Sequence, residues 1–133
     1  MEICVDASCR KNPGEFEYRG VERGTKKELF SYKFDYGTNN IGEFLAVVHA
    51  ISYLKKNNIS DAKIYTDSVT ALAWVRDKKC KSKLAPHQDE EINKKLKALI
   101  DRAEVVLKQL HFFDILKWDT KELGEIEADY GRK

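Results

Sequence analysis

The sequence is poor in cysteine, and its three cysteines lack the pattern of a small disulfide-rich or zinc-binding protein. They stand at positions 4, 9 and 80, so their number is odd and no two have the CxxC spacing. These features argue against both a disulfide framework and a zinc ribbon. We therefore expect reduced thiols in a cytoplasmic protein.

Long apolar runs and a strong net charge are also missing. No apolar stretch approaches the length of a membrane span, and the first residues lack the basic and apolar regions of a secretion signal. The formal net charge is only +2, although 35% of the residues are charged. A polyanionic partner would therefore have to be recognised by local basic patches. We expect a monomer with no membrane association.

Internal repeats, low-complexity tracts and Pro/Gly-rich linkers are absent, and 133 residues fit a single domain, 1–133. Hydrophobic patterns predict strands at 2–6, 16–23, 28–36, 62–66 and 110–118. Helical periodicity predicts helices at 41–55, 68–76, 88–106 and 124–131, with a Lys-rich loop at 77–87. The order βββαβααβα predicts an α/β fold, with three antiparallel strands followed by at least one parallel pair.

Four carboxylates occupy positions that suggest a site. Asp6 is predicted to end the first strand and Asp67 the fourth, and sites in open α/β sheets form at such carboxyl ends. Glu43 shares the apolar face of the first predicted helix, at its open end. Asp129 lies in the last predicted helix, among other charged residues.

Each acid also has a purely structural interpretation. Asp6 would bond to the turn that follows its strand, and Asp67 would cap the next helix. Asn40 and Glu43 have the spacing of a capping box. Asp129 would belong to a solvated, charged tail. These alternatives stay open for each residue taken singly.

The donor set indicates which ligand the four acids could share. Two carboxylates on neighbouring strands repel each other unless a cation lies between them. Carboxylate oxygens alone suit hard ions such as Mg²⁺ or Mn²⁺. No histidine–cysteine cluster competes for zinc, because the histidines are scattered at positions 49, 87 and 111.

The residues around these acids form motifs that resemble a known family. Asp6–Gly14, with the sequence DASCRKNPG, is similar to the opening DGSxxxNPG motif of type 1 ribonuclease H. Thr38–Glu43, TNNIGE, is similar to its TNNxxE motif, and Thr66–Ser68 to its TDS motif. Trp118–Asp129 is similar to the closing stretch that carries the fourth aspartate of the family. The resemblance spans nearly the whole chain, in the right order.

This resemblance implies a ribonuclease H-like fold, a five-stranded mixed sheet flanked by helices. It implies a metal-dependent endonuclease that hydrolyses the RNA strand of an RNA–DNA hybrid and leaves 5′-phosphate and 3′-hydroxyl ends. The catalytic residues and metal ligands would be Asp6, Glu43, Asp67 and Asp129. They would hold two Mg²⁺ ions, with Mn²⁺ as a substitute, one activating a water and the other stabilising the leaving oxygen.

The family resemblance also implies residues that bind the hybrid. They are Asn12, Asn39, Asn40 and Ser68 for 2′-hydroxyl groups, Thr38 for a phosphate, and the backbone near Cys9. Only the 2′-hydroxyl distinguishes RNA from DNA at a given site. Turn and cap chemistry explains the asparagines as well, and the two roles are compatible.

The chain departs from the family at places that affect function. The Lys-rich stretch Arg76–Lys83 is shorter than the basic protrusion of long bacterial members, and a solvated loop is the alternative to a phosphate contact. The loop 119–124 lacks the histidine that many members carry. Glu125 is the alternative ligand to Asp129. Trp74 is predicted in the core, with stacking in a nucleic-acid channel as the alternative.

Two other functions share some of these features. A transposase or integrase core, or a junction resolvase, has strand-end carboxylates on the same fold but lacks the DxSxxxNPG and TNNxxE motifs. A catalytically inactive hybrid-binding module would have no reason to keep four acids facing a polyanion. Comparing cleavage of hybrid, duplex DNA and four-way junctions would separate these possibilities.

Overall fold

Within residues 1–109 and 113–130, which the computed structural model describes, the chain forms five strands and four helices. The strands are β1 Glu2–Cys9, β2 Gly14–Glu22, β3 Glu28–Gly37, β4 Lys63–Thr66 and β5 Asp114–Lys117. The helices are α1 Asn39–Lys56, α2 Val69–Asp77, α3 Glu90–Gln109 and α4 Thr120–Leu123. No helix in these ranges is both long and apolar enough to cross a membrane.

The strands form one mixed sheet in the order β3-β2-β1-β4-β5. β1 pairs with β2, and β2 with β3, in the antiparallel sense. β4 pairs in the parallel sense with β1 on one side and β5 on the other. Helices connect the parallel strands, because α1 returns the chain from β3 to β4 and α2 and α3 carry it on to β5. The predicted α/β fold with a five-stranded mixed sheet is confirmed.

α1 covers one face of the sheet and forms the main core with it. Alternate residues of β1, among them Val5 and Ala7, are fully buried in this core together with Phe44 of α1. The helix approaches β1 closely at Gly42, where an added Cβ would lie 2.9 Å from the Cβ of Ala7. Glycine is therefore required at the point where α1 meets the strand that carries Asp6.

The other face of the sheet is covered by the C-terminal segment. Trp118, Ile126 and Ala128 are buried there against Cys4 and Val21. The prediction of a helix at 124–131 is wrong for 124–130, where the chain has no regular secondary structure. The helix α4 ends before Gly124, whose φ of +78° suits glycine. A turn follows, in which the N–H of Asp129 donates to the carbonyl oxygen of Ile126 at 2.9 Å. Of the predicted strand at 110–118, residues 110–112 lie outside the described residues.

Candidate active site

Asp6 lies where the parallel pairing of β1 ends. β1 continues to Cys9, because its second half pairs with β2 as far as Phe16, so the prediction that Asp6 ends the strand is wrong. However, the parallel pairing with β4 stops at Cys4 and Tyr65, and Asp6 is two residues beyond it. Its side chain is fully buried. Asp6 therefore lies at the carboxyl end of the parallel pair, as a site residue in this fold should.

Asp67 follows β4 directly and is only partly buried. The interpretation of Asp67 as a helix cap is wrong, because Ser68 is the N-cap of α2. The Ser68 Oγ accepts a hydrogen bond from the backbone N–H of Ala71 at 3.0 Å. Since β4 lies next to β1, this places Asp67 beside Asp6 at the same edge of the sheet.

Glu43 reaches the same edge from α1. Its side chain is 2% exposed, and its Oε1 accepts a hydrogen bond from the backbone N–H of Ala7 at 3.1 Å. The capping-box interpretation with Asn40 is wrong, because Thr38 is the N-cap and its Oγ1 accepts from the N–H of Ile41 at 3.1 Å. The bond to Ala7 holds the carboxylate of Glu43 next to the residue that follows Asp6.

Asp6, Glu43 and Asp67 form one group, in which one oxygen atom of each lies within 4.8 Å of the others. Ligand oxygens around a single Mg²⁺ ion lie about 3–4 Å apart, which follows from its short, octahedral bonds. The donor set of three carboxylates, two of them buried, fits a hard divalent cation. A bound cation would also offset the repulsion between these like charges.

The described histidines lie outside this group. The Nδ1 of His49 is 2.8 Å from the hydroxyl oxygen of Tyr18, and its ring stacks on Phe30. Burial lowers the pKa of His49, which favours a neutral, structural side chain. His87 accepts a hydrogen bond from the N–H of Asp89. The third histidine, at position 111, lies outside the described residues.

Asp129 is not a member of the three-residue group. It lies in the segment 124–130 rather than in the predicted helix, and its backbone is bound to β2. The guanidinium of Arg19 donates hydrogen bonds to the carbonyl oxygens of Ala128 and Asp129, both at 2.8 Å. Arg19 is the residue of β2 that pairs with Asp6. Glu125, the alternative ligand, is exposed.

Most of the residues predicted to bind the hybrid lie around a surface cleft of about 390 Å³. Asn12, Thr38 and Asn40 line it together with Trp74, Lys81 and Lys83, among other residues. Asn39 lies beside it, and its backbone N–H donates to the side-chain oxygen of Asn12 at 3.2 Å. Trp74 is not fully buried as predicted: it packs edge-on against Phe44 and also lines the cleft.

Cys9 and Ser68 are not among the residues that line this cleft. The Sγ of Cys9, at the end of β1, lies 3.9 Å from the carbonyl oxygens of Gly14, at the start of β2, and Gly37, at the end of β3. Burial raises the pKa of this thiol, which keeps it neutral near pH 7. Ser68 adjoins Asp67 at the start of α2.

Sequence reasoning missed Arg19. The only signal for it was its place on β2 between the buried residues Tyr18 and Gly20.

Comparisons with known proteins agree with this architecture. A family model described as RNase H matches residues 1–112, which includes the three grouped carboxylates and ends before Asp129. The ribonuclease H of Rickettsia felis is 31% identical over 137 residues, covering 96% of this chain and 84% of that protein. The ribonuclease HI of Rickettsia conorii matches with the same identity and coverage.

A solved structure shows a similar fold. The RNase H1 of the halophilic archaeon Halobacterium salinarum superposes with a TM-score of 0.54 at 18% identity, covering 96% of this chain and 91% of that one. The family model accounts for most of the chain, and the family generally uses a divalent metal ion, with which the carboxylate group is consistent. The chain therefore belongs to the RNase H family and is an enzyme with ribonuclease H activity.

Proposed function

We propose that this enzyme is an endonuclease that hydrolyses the RNA strand of RNA–DNA hybrids at the group of Asp6, Glu43 and Asp67. The observation that carries the proposal is the convergence of three carboxylates within 4.8 Å at the carboxyl end of the parallel strands. The cleft beside the TNN motif supports a nucleic-acid substrate, because it combines polar side chains with two lysines and a tryptophan.

We propose that Asp6, Glu43 and Asp67 hold a divalent cation and that Asp129 completes a site for a second one. When bound, two Mg²⁺ or Mn²⁺ ions supply water activation and charge stabilisation on the leaving 3′ oxygen, which gives 5′-phosphate and 3′-hydroxyl products. The protein holds the carboxylate of Glu43 in position before the ions arrive, since it accepts a hydrogen bond from the N–H of Ala7.

The cleft is suited to bind a phosphate backbone. Lys81 and Lys83 bring positive charge to it, and Thr38 starts the eighteen-residue helix α1 there. The N–H groups at the start of a helix carry partial positive charge and bind phosphate oxygens. The cleft would thus hold one strand while the scissile phosphate lies at the carboxylates.

Recognition of RNA is assigned to Asn12, Asn39, Asn40 and Ser68. The oxygens of Asn12 and Ser68 already accept hydrogen bonds from backbone N–H groups, which orients both side chains. Each of these side chains also carries a donor, an amide or a hydroxyl, that can bind a 2′-hydroxyl oxygen. The capping roles and the proposed recognition role are therefore compatible.

Metal dependence provides the first test. We expect the enzyme to cut an RNA–DNA hybrid labelled on the RNA strand when Mg²⁺ or Mn²⁺ is present, and EDTA to stop cleavage. Restoring excess metal should restore the rate, and a polymerase should extend the upstream RNA fragments from their 3′-hydroxyl ends. Undiminished cleavage in EDTA, or 3′-phosphate ends, would refute the metal-dependent mechanism.

The two lysines of the cleft allow a second prediction. If Lys81 and Lys83 contact phosphates, Lys81→Gln and Lys83→Gln should each reduce the slope of log affinity against log salt concentration by about one unit. Lys81 also pairs with Asp77 at 2.8 Å, an exposed ion pair whose loss should leave the fold intact.

Lys79→Gln is the matched control for this experiment. It removes the same charge from the same loop, but Lys79 lies 3.9 Å from Glu104 and does not line the cleft. Its slope should stay close to that of the unmodified protein. The slopes are measured by fluorescence anisotropy on uncleaved hybrid in EDTA. If all three variants and the unmodified protein have equal slopes, the Lys-rich stretch is a solvated loop that does not contact phosphates.

A further inference from the structure

Arg19 connects the strand next to Asp6 with the segment that carries Asp129. It lies on β2, directly opposite Asp6 in the antiparallel register. Its Nε donates to the carbonyl oxygen of Ala128 and its Nη2 to that of Asp129, each at 2.8 Å. The guanidinium carbon also lies 4.7 Å from the ring centroid of Tyr130. Arg19 therefore contacts three consecutive residues of the C-terminal segment.

We propose that Arg19 is a positioning residue that fixes the backbone of Ala128 and Asp129 and thereby delivers the Asp129 carboxylate to the metal site. The inference rests on the proposed function, in which Asp129 serves as a metal ligand beside Asp6. Arg19 binds carbonyl oxygens of the main chain, so it determines the place from which the Asp129 side chain projects.

The segment depends on such contacts because it has no regular secondary structure between residues 124 and 130. Its earlier part is held by the indole N–H of Trp118, which donates to the Gly124 carbonyl at 2.9 Å. The backbone N–H of Gly24 donates to the carboxylate of Glu127 at 2.7 Å. These contacts fix the segment before Ala128. At Asp129 the N–H donates to the carbonyl oxygen of Ile126 at 2.9 Å, and Arg19 binds the carbonyl oxygen.

Tyr130 supports the same geometry. The guanidinium of Arg19 lies over its ring. Because Arg19 is the β2 residue opposite Asp6, the end of the segment lies against the strand next to the one that carries Asp6.

An arginine is needed at this position because two carbonyl oxygens must be bound at once. The planar guanidinium offers several N–H donors in a fixed fork, and it stacks well on an aromatic ring. A lysine would keep the positive charge but would provide a single ammonium without that geometry. Arg19→Lys therefore separates the effect of geometry from the effect of charge.

The chain contains a matched control in Arg23. This arginine also supports the C-terminal segment, since its guanidinium lies 5.0 Å from the ring of Trp118 and 4.9 Å from that of Tyr65. It pairs with Glu2 at 2.9 Å, at the start of β1 and away from Asp6. Arg23→Ala should lower thermal stability without affecting the metal site.

The test measures Mn²⁺ affinity of the folded, metal-free protein by calorimetry and by electron paramagnetic resonance of the unbound ion. Residues that orient metal ligands typically change affinity by about 10–100-fold, so Arg19→Ala and Arg19→Lys should each weaken Mn²⁺ binding by at least tenfold. Hydrogen exchange of residues 124–130 should accelerate in both. Arg23→Ala should bind Mn²⁺ within about twofold of the unmodified protein, the scatter expected for a site that it does not touch.

A double variant separates positioning from general destabilisation. If Arg19 acts through Asp129, Arg19→Ala should cause no further loss of Mn²⁺ affinity in the Asp129→Asn background. Unchanged affinity in a folded Arg19→Lys protein would overturn the inference, and so would an Arg19 effect that persists in Asp129→Asn. If Asp129→Asn binds Mn²⁺ normally while Asp67→Asn loses binding, only the proposed role of Arg19 is refuted, and the proposed metal site stands. Normal affinity in Asp67→Asn as well would refute the proposed metal site.

Discussion

Asp67→Asn is expected to abolish cleavage of an RNA–DNA hybrid while the protein remains folded, and Asp6→Asn is expected to do the same. Each substitution preserves the size of the side chain but removes one negative charge from the group of carboxylates. A bound metal ion contributes several kcal/mol of transition-state stabilisation, so weakening its capture should reduce kcat/KM by roughly a thousandfold or more.

The fold should tolerate both changes because the charges repel one another in the metal-free protein. Replacing one carboxylate with a neutral amide relieves that repulsion, so the melting temperature without metal should be unchanged or higher. Asp114→Asn is a suitable control, since Asp114 is an exposed aspartate at the start of β5, the opposite end of a parallel strand. It should keep full activity. Near-normal turnover in Asp6→Asn or Asp67→Asn would contradict the assignment of the site.

The second large effect concerns the substrate. The enzyme should cut an RNA–DNA hybrid about 10⁴-fold faster than duplex DNA of the same sequence, because a site built to bind a hydroxyl group strongly disfavours a substrate that lacks it. Double-stranded RNA should also be a poor substrate. Single-turnover rates on the three duplexes, labelled in the same strand and measured at the same salt concentration, provide the comparison.

A modified hybrid sharpens this experiment. Replacing one ribonucleotide at a mapped cut site with a deoxyribonucleotide should suppress cleavage there and leave neighbouring cuts intact, since only the 2′-hydroxyl has changed. Equal rates on hybrid and duplex DNA, or preferred cutting of a four-way junction, would indicate another nuclease on this fold. Tight hybrid binding without cleavage in any metal would indicate an inactive binding module.

The sequence was most informative where function depends on short motifs. Asp6, Glu43 and Asp67 could be recognised because each lies within a motif whose residues are close together in the chain, and the structure brings all three together. The sheet was predictable for a related reason, since hydrophobic alternation marks each strand and only a few connections of strands and helices are allowed.

The errors arose where a local pattern had several physical solutions. Serine, threonine, asparagine and aspartate all cap helices well, so the sequence offers Asn40 and Asp67 as possible caps although Thr38 and Ser68 fill those positions. Likewise, β1 was predicted to end at Asp6, where its parallel pairing with β4 has stopped. Its antiparallel pairing with β2 extends it to Cys9.

The C-terminal segment could not be predicted from its own residues. Its many acids suit a helix, but its conformation depends on contacts with residues about a hundred positions away as well as on local ones. Arg19 binds Ala128 and Asp129, and Gly24 binds Glu127. No local pattern encodes a contact at that separation, so the position of Asp129 follows only from the folded chain.

The close contact between Gly42 and Ala7 links the dimensions of the proposed active site to two uncharged residues. Because Glu43 follows Gly42 and Asp6 precedes Ala7, the sum of these two small side-chain volumes sets the gap between the helix and the strand. If a methyl group is added at Gly42, the gap is therefore kept only if the methyl group of Ala7 is removed. Exchanging the two residues would remove the Ala7 methyl group from this contact, and the new Cβ at position 42 would then meet the Phe16 ring at 3.2 Å.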